Sequence, residues 1–455
     1  MNEAMAVAII GAGPVGLAAA AHVMERGLHP IVLEAGGEVG HAVRQWAHVK
    51  MFSPWKYNID RAAERLLAAN GWNSPPPEQY PTGAGLIDNY LEPLATRTKL
   101  KSCIRTSSRV TDISRVGFDK RKTMGRASAL FEIRYQSSLG VRTERAEAVI
   151  DVSGTWFSPN PAGINGLPAI GESESADKIA YGMPDVLGKD RARYAGKIVA
   201  VLGAGHSAVG TLADLVKLKA DARGTEVIWI LRGSDPGKAY GGGESDKLAA
   251  RGELGLAFKA IVASGAVRVE AAFAASHVTL IDNQLWISDG SSCSTRSIVA
   301  DELVVATGLR PDFSFLRELR IQLDPAIECP VALAPLIDPN EHSCGTVRPH
   351  GARELRQNEP GLYIAGMKSY GRAPTFLMLT GYEQVRSIAA DIVGDYRAAT
   401  SVELDLPETG VCSRSVVEIA DTAGCCGGPA PAKVDECCKA DAVAKEEGKA
   451  GCGRS

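Results

Sequence analysis

A chain of 455 residues is longer than one hydrophobic core supports, so two or three domains are expected. With 45% hydrophobic and 23% charged residues and a formal net charge of -3, the composition is that of an ordinary globular protein. It lacks the basic excess of a nucleic-acid binder and the polybasic patch of a protein seated on anionic lipid, so neither partner is expected.

The opening MNEAMAVAIIGAGPVGLAAAAHVM is apolar enough to pass for a signal-peptide core. It has no positively charged start, however, and Gly11, Gly13 and Gly16 interrupt it. It reads instead as a buried strand, a glycine turn and a helix, which points to a cytoplasmic protein with reduced cysteines. AVAIIGAGPVGLAAAAHVMERGLHPIVLEAG completes a strand-helix-strand unit. In it Gly11 makes the turn, Gly13 lets a pyrophosphate approach the backbone, Pro14 opens the helix, and Gly16 lets helix and strand pack closely. Glu34 ends the second strand 23 positions after Gly11, where a carboxylate accepts ribose hydroxyls. A lone glycine motif is a weak signal. Here strand, helix and acid fall in register.

Next comes VRQWAHVKMFSPWKYNID, unusually aromatic for a loop. In place and composition it resembles the segment that lies against the flavin ring in flavin monooxygenases, which implies Trp46, Phe52, Ser53, Pro54 and Trp55 as a flavin wall, unless they simply fill core. AEAVIDVSGTWFSPN then reads as a strand ending at Ser153 and Gly154.

The strand-turn-helix pattern recurs in KIVAVLGAGHSAVGTLADLVKL, with Gly203, Gly205 and Ala208 in the three glycine positions and Ser207 in the helix start. Its second strand, EVIWI, runs into Leu231 and Arg232. No acid stands there, and Arg232 falls near the place of a 2′-phosphate. Two dinucleotides held in one chain follow, FAD in the acid-bearing site and NADPH in the arginine-bearing one. ADELVVATGLRPDF is a further strand, ending at Ala306, Thr307 and Gly308.

With these stretches in place the chain resembles the two-dinucleotide-binding-domain flavoproteins, the superfamily of flavin-containing monooxygenases and thioredoxin reductases, over residues 5 to 395. The resemblance implies an α/β fold of two Rossmann-like domains. FAD would be bound by residues 1–160 and 311–405, with an NADPH domain of residues 161–310 inserted between them. The two ATG-like stretches would mark where the chain crosses between domains. The last flavin-binding segment of the family matches EPGLYIAGMKSYGRAPTFL, with Gly366 and Met367 where a Gly-Asp pair is common. The main-chain amide there remains available to the cofactor.

Residues 411–455 hold six of the ten cysteines and almost no aromatics, so residues 406–455 are expected to be a mobile, thiol-bearing tail. CCGGPAPAKVDECC places Cys425 beside Cys426 and Cys437 beside Cys438. Adjacent thiols make poor disulfides and suit a soft, thiophilic ion.

The acceptor of the flavin's electrons divides the possible functions. Thioredoxin and glutathione reductases carry a close cysteine pair beside the flavin, and residues 1–410 contain none. The alternative acceptor is O2, with an oxygen atom passed to a soft lone pair. The ketone-oxygenating signature FxGxxxHxxxW is also missing. IECPVALAPLIDPNEHSCGTVRPHG sets Cys329 and Cys344 fifteen positions apart, with His342 beside the second. These two thiols are the candidate metalloid ligands and catalytic residues, unless they are ordinary small hydrophobes, the expected state of Cys103 and Cys293.

HSCGTVRPHG, GMKSYGRAPTFL, TGYEQVR and LPETGVCS, followed by the cysteine-rich tail, look like the NADPH-dependent flavin monooxygenases of bacterial arsenic-resistance operons. That resemblance implies oxidation of trivalent arsenic or antimony to the pentavalent form. The rivals are a metal-ion or disulfide reductase of the thioredoxin or mercuric reductase type, which would consume NADPH without oxygen, and a nucleotide-holding redox sensor, which would not turn over.

Overall fold

A computed structural model describes residues 5–241, 248–290, 296–340, 347–373 and 376–404. Met1–Ser413 forms one compact unit; Arg414–Ser455 is assigned to a second, which lies outside the described residues.

In chain order the strands are β1 (Ala6–Ile10), β2 (His29–Leu33), β3 (Ile104–Arg105), β4 (Arg109–Arg115), β5 (Phe131–Ser137), β6 (Gly140–Ala146), β7 (Ala148–Asp151), β8 (Ile179–Tyr181), β9 (Ile198–Leu202), β10 (Glu226–Ile230), β11 (Arg268–Glu270), β12 (Ala275–Ile281), β13 (Gln284–Asp289), β14 (Ser297–Ala300), β15 (Glu302–Val305) and β16 (Leu362–Ile364). They build two parallel sheets, β16-β7-β1-β2-β3 and β11-β10-β9-β15-β8, and two antiparallel ones, β4-β5-β6 and β12-β13-β14. β16 pairs with β7, so the first sheet is assembled from chain on either side of the second.

Both parallel sheets are covered on both faces, as their unbroken apolar strands require. In β1, Val7 and Ile9 face one core with the helix Pro14–Glu25, while Ala8 and Ile10 face another with Ile113, Phe131 and Ile133 of the β4-β5-β6 sheet. β9 repeats the alternation. Val199 and Val201 meet the helix His206–Asp221, and Ala200 and Leu202 meet Val278, Leu285 and Ile287. Each fully buried Val or Ile contributes about 1.5–3 kcal/mol.

The alanine run of the first helix, Ala18 to Ala21, is wholly buried. Its small side chains let the helix Met378–Ile392 lie close against it. A buried carboxylate ties the β4-β5-β6 sheet to the segment before β16. Glu359 accepts from Arg115 Nε at 2.9 Å and from Arg126 Nη2 at 2.9 Å, with all three side chains at most 2% exposed.

Candidate functional site

In the first sheet the chain order reverses around β1, the topological switch point at which open α/β sheets place ligands beyond their strand ends. Gly11 leaves β1 at φ +107, and a Cβ there would meet Val152 O at 2.9 Å, so only glycine fits. A Cβ on Gly16 would stand 2.0 Å from Gly11 O. Gly13 differs. It caps the helix at φ -77 and a Cβ on it would touch nothing within 4 Å. Pro14 is the first helical residue, where its missing N–H costs nothing. Glu34, 8% exposed, folds its carboxylate across the turn. It accepts from Ala12 N–H at 2.7 Å and from Gly36 N–H at 2.8 Å.

The second sheet repeats the construction at the end of β9. Gly203 has φ +143 and a Cβ on it would lie 2.3 Å from Ala306 O. Gly205 caps the helix His206–Asp221, with open space where a Cβ would be. Ala208 is fully buried in the third position, and Ser207 is half-buried in the first turn. Arg232 is exposed two residues beyond β10. One feature was not legible in sequence: Trp229 donates its indole N–H to Gly203 O at 2.7 Å and so fixes the turn.

The residues of the aromatic loop meet different neighbours. Phe52 meets the His206 ring edge-on at 5.4 Å, joining the loop to the start of the second helix. Trp46 lies where a side chain on Gly83 would strike it at 2.8 Å. Trp55 is buried beside a cavity of about 700 Å³ that His22, Asp60 and Tyr382 also line. Ser53 is buried and donates to Asn58 Oδ1 at 2.8 Å. His41 stacks on Phe157 at 5.4 Å, holding the first crossing segment against the same half.

The two crossing segments lie against each other. Asn160 N donates to Gly308 O at 2.9 Å, Thr307 Oγ1 donates to Asn160 O at 3.1 Å, and Pro159 bridges Leu309. Beside them is a buried charge that sequence reasoning missed. Lys368 Nζ lies 2.6 Å from Asp151 Oδ2 and donates to Ser153 Oγ at 2.9 Å, with both charged side chains 0% exposed. The rings of Phe313 and Phe315 cover the ammonium at 5.0 and 4.4 Å. Lys368 belongs to the tight turn Gly366–Tyr370, and Gly366 (φ +67) packs on Val15 of the first helix. Met367 is half-buried between them.

Of the candidate thiol ligands, Cys329 alone lies among the described residues. Cys329 is 0% exposed, packs with Leu333, Tyr370 and Ala373, and directs its thiol at Pro330 O, 3.5 Å away. Burial, helped by Asp324 and Asp338, pushes the thiol up to about 12. A raised value disfavours the thiolate that a soft ion binds, and displacing the proton is part of the cost of binding there. Cys103 is buried as well. Cys293, His342, Cys344, Cys425, Cys426, Cys437 and Cys438 lie outside the described residues. Among the described residues no group of three His, Cys, Asp or Glu is placed to hold a metal ion, and no helix is long and apolar enough to cross a membrane.

A family profile described as pyridine nucleotide-disulphide oxidoreductase matches residues 8–332, well over half of the chain. The chain belongs to this family. Solved structures share the fold. Bacillithiol disulfide reductase Bdr (YpdA) from Bacillus cereus superposes with a TM-score of 0.64 at 21% identity, covering 86% of this chain and 100% of that one. DfoA, the FAD-bound cadaverine monooxygenase of Erwinia amylovora, gives 0.60 at 13% identity over 89% and 99%. T. acidophilum thioredoxin reductase gives 0.54 at 18% identity over 85% and 98%.

Among curated proteins, the flavin-containing monooxygenase FMO GS-OX-like 2 of Arabidopsis thaliana is 23% identical over 236 residues, 47% of each chain. This pyridine nucleotide-disulphide oxidoreductase thus spans about half the length of the curated relative it matches. Its cofactors are FAD and NADPH, which supply hydride transfer when bound. The residues present fit two such groups. At Gly13 and again at Gly205, a helix start faces open space at the end of a central strand, as a pyrophosphate requires.

Proposed function

We propose that this protein is an NADPH-dependent flavoprotein reductase whose electron acceptor comes from outside the described fold, either a disulfide or a thiol-bound metal or metalloid ion. The observation that carries this reading is the family match over residues 8–332, in a family named for pyridine nucleotide and disulphide. The reaction consumes NADPH, a proton and a disulfide and yields NADP+ and two thiols. An external acceptor is favoured because Cys103 and Cys329 are buried and no other cysteine occurs among the described residues.

FAD is assigned to residues 1–160 and 311–405, cradled by Gly11, Gly13, Pro14, Gly16 and Glu34, with Gly366 and Met367 approaching from the returning segment. NADPH is assigned to residues 161–310, at Gly203, Gly205, Ser207, Ala208 and Arg232. In this assignment Phe52 stands between the two cofactors, Trp46, Ser53 and Trp55 support its loop, and Thr307 and Gly308 cross between domains.

A second reading is oxidation of trivalent arsenic or antimony. O2, NADPH, a proton and arsenite would give arsenate, NADP+ and water. Two observations favour it: the absence of a cysteine pair beside the cradles among the described residues, and the similarity to flavin-containing and cadaverine monooxygenases. In this reading the metalloid would be held by thiols drawn from Cys329, Cys344 and the Cys425, Cys426, Cys437 and Cys438 pairs, Cys329 only at the cost of exposing a buried thiol.

One experiment separates the readings. NADPH oxidation by FAD-loaded protein is followed with a low-molecular-weight disulfide, with arsenite, and with neither, in air and under nitrogen. Disulfide-dependent oxidation that persists under nitrogen supports the reductase. Arsenite-dependent oxidation that requires air, with arsenate formed, replaces it with the monooxygenase.

A further inference from the structure

Below the turn Gly366–Tyr370 lies a chain of buried polar side chains that neither cradle uses. Gln384, 0% exposed on the helix Met378–Ile392, accepts the Gly366 N–H on Oε1 at 2.7 Å. Its Nε2 reaches Ser369 Oγ at 3.0 Å and His350 Nε2 at 2.8 Å. Ser369 Oγ in turn donates to Gly366 O at 2.8 Å. His350, 5% exposed, places Nδ1 3.0 Å from Arg348 O.

These contacts determine the protons. A carbonyl only accepts, so His350 Nδ1 carries the hydrogen and Nε2 of the neutral ring is bare. Bare Nε2 accepts from the Gln384 amide nitrogen, which turns Oε1 toward Gly366. If His350 gained a proton, Nε2–H would face the Gln384 NH2. Flipping the amide would relieve that clash only by pointing NH2 at the Gly366 N–H. No orientation of Gln384 then serves both neighbours, and a buried donor is left without a partner, at a cost of about 1–3 kcal/mol.

We propose that His350 and Gln384 are a positioning pair that fixes the Gly366 amide and the turn it opens, and that this turn retains FAD only while His350 is neutral. The proposal rests on the assignment of Gly366 and Met367 to the flavin. Three other groups face His350: the Glu354 carboxylate, the Tyr370 ring at 5.6 Å and the Arg348 carbonyl. Burial lowers the His350 pKa below its ordinary 6.5, while the bond to Arg348 O and the charge of Glu354 oppose the shift. The unfolded chain therefore binds this proton more readily than the folded one. The stabilisation is complete above the unfolded pKa and is lost as pH falls through the folded value.

The test is FAD release from the holoprotein, read as the rise of free-flavin fluorescence between pH 5 and pH 8, with amide hydrogen exchange at Gly366–Tyr370 measured in parallel. Gln384→Leu should release FAD about tenfold faster at neutral pH, the equivalent of one lost hydrogen bond, with faster exchange in the turn. His350→Gln keeps an uncharged acceptor near the position of Nε2. It should match the wild type at neutral pH and lose the acceleration of release in acid. Gln384→Glu accepts from Gly366 and from a protonated His350 alike, so its release should slow, not quicken, as pH falls. Unchanged exchange and unchanged release in Gln384→Leu would overturn the positioning pair. Faster exchange with unchanged release would overturn its link to FAD and, with it, the placement of Gly366 against the flavin. An acid acceleration that survives in His350→Gln would overturn the role of the imidazole.

Discussion

Replacing Lys368 with Met removes the partner of a carboxylate that has no access to water. Asp151 Oδ1 would still accept from Ser153 N at 3.1 Å and Ser153 Oγ at 2.7 Å, but Oδ2 would lose the ammonium 2.6 Å away. With both side chains at 0% exposure, the loss falls in the range for breaking a buried pair, about 3–5 kcal/mol. The ammonium's contacts with Phe313 and Phe315 go as well, though the Met side chain packs on the same rings. Removing both charges in Lys368→Met/Asp151→Leu leaves no uncompensated ion, and the double variant should recover most of the loss. The assay is urea unfolding of the FAD-saturated protein, followed by flavin and tryptophan fluorescence for wild type, both single variants and the double. A Lys368→Met variant within about 1 kcal/mol of wild type, or a double variant no better than the single, would refute the reasoning.

Gly13→Leu should lose FAD while keeping the apoprotein fold, because its side chain enters space that only a ligand uses; Gly16→Leu should fail to fold, since its Cβ would fall 2.0 Å from Gly11 O. Circular dichroism and flavin absorbance separate the two outcomes. Arg232→Ala should narrow the preference for NADPH over NADH by about one to two decades, the worth of a charge-assisted bond to the 2′-phosphate, measured as the ratio of kcat/KM values.

The cradles were legible because each glycine has a local cause: a positive φ at Gly11 and Gly203, a close approach at Gly16, open space at Gly13 and Gly205. These demands act within a few residues, and a sequence motif can record them. Lys368 meets Asp151 and Ser153 across more than two hundred residues, and Glu359 meets Arg115 and Arg126 across a similar span. No local pattern carries such pairings. The aromatic loop was visible as composition, but which ring goes where depends on distant partners, His206 for Phe52 and Gly83 for Trp46. Cys329 was ambiguous for another reason. A free cysteine is both a soft ligand and a small hydrophobe, and only the core around it decides which.

Both readings of function need the nicotinamide held against the flavin within about 3–3.5 Å, because hydride transfer tolerates little more. A hinge alone does not give that. Here the two crossing segments pair with each other through Asn160, Thr307 and Gly308, and a contact away from the crossing adds to them. Phe52 meets His206. His206 follows directly on Gly205, the glycine that caps the helix of the second cradle. The helix start that shapes the second cradle thus also carries a contact between the halves.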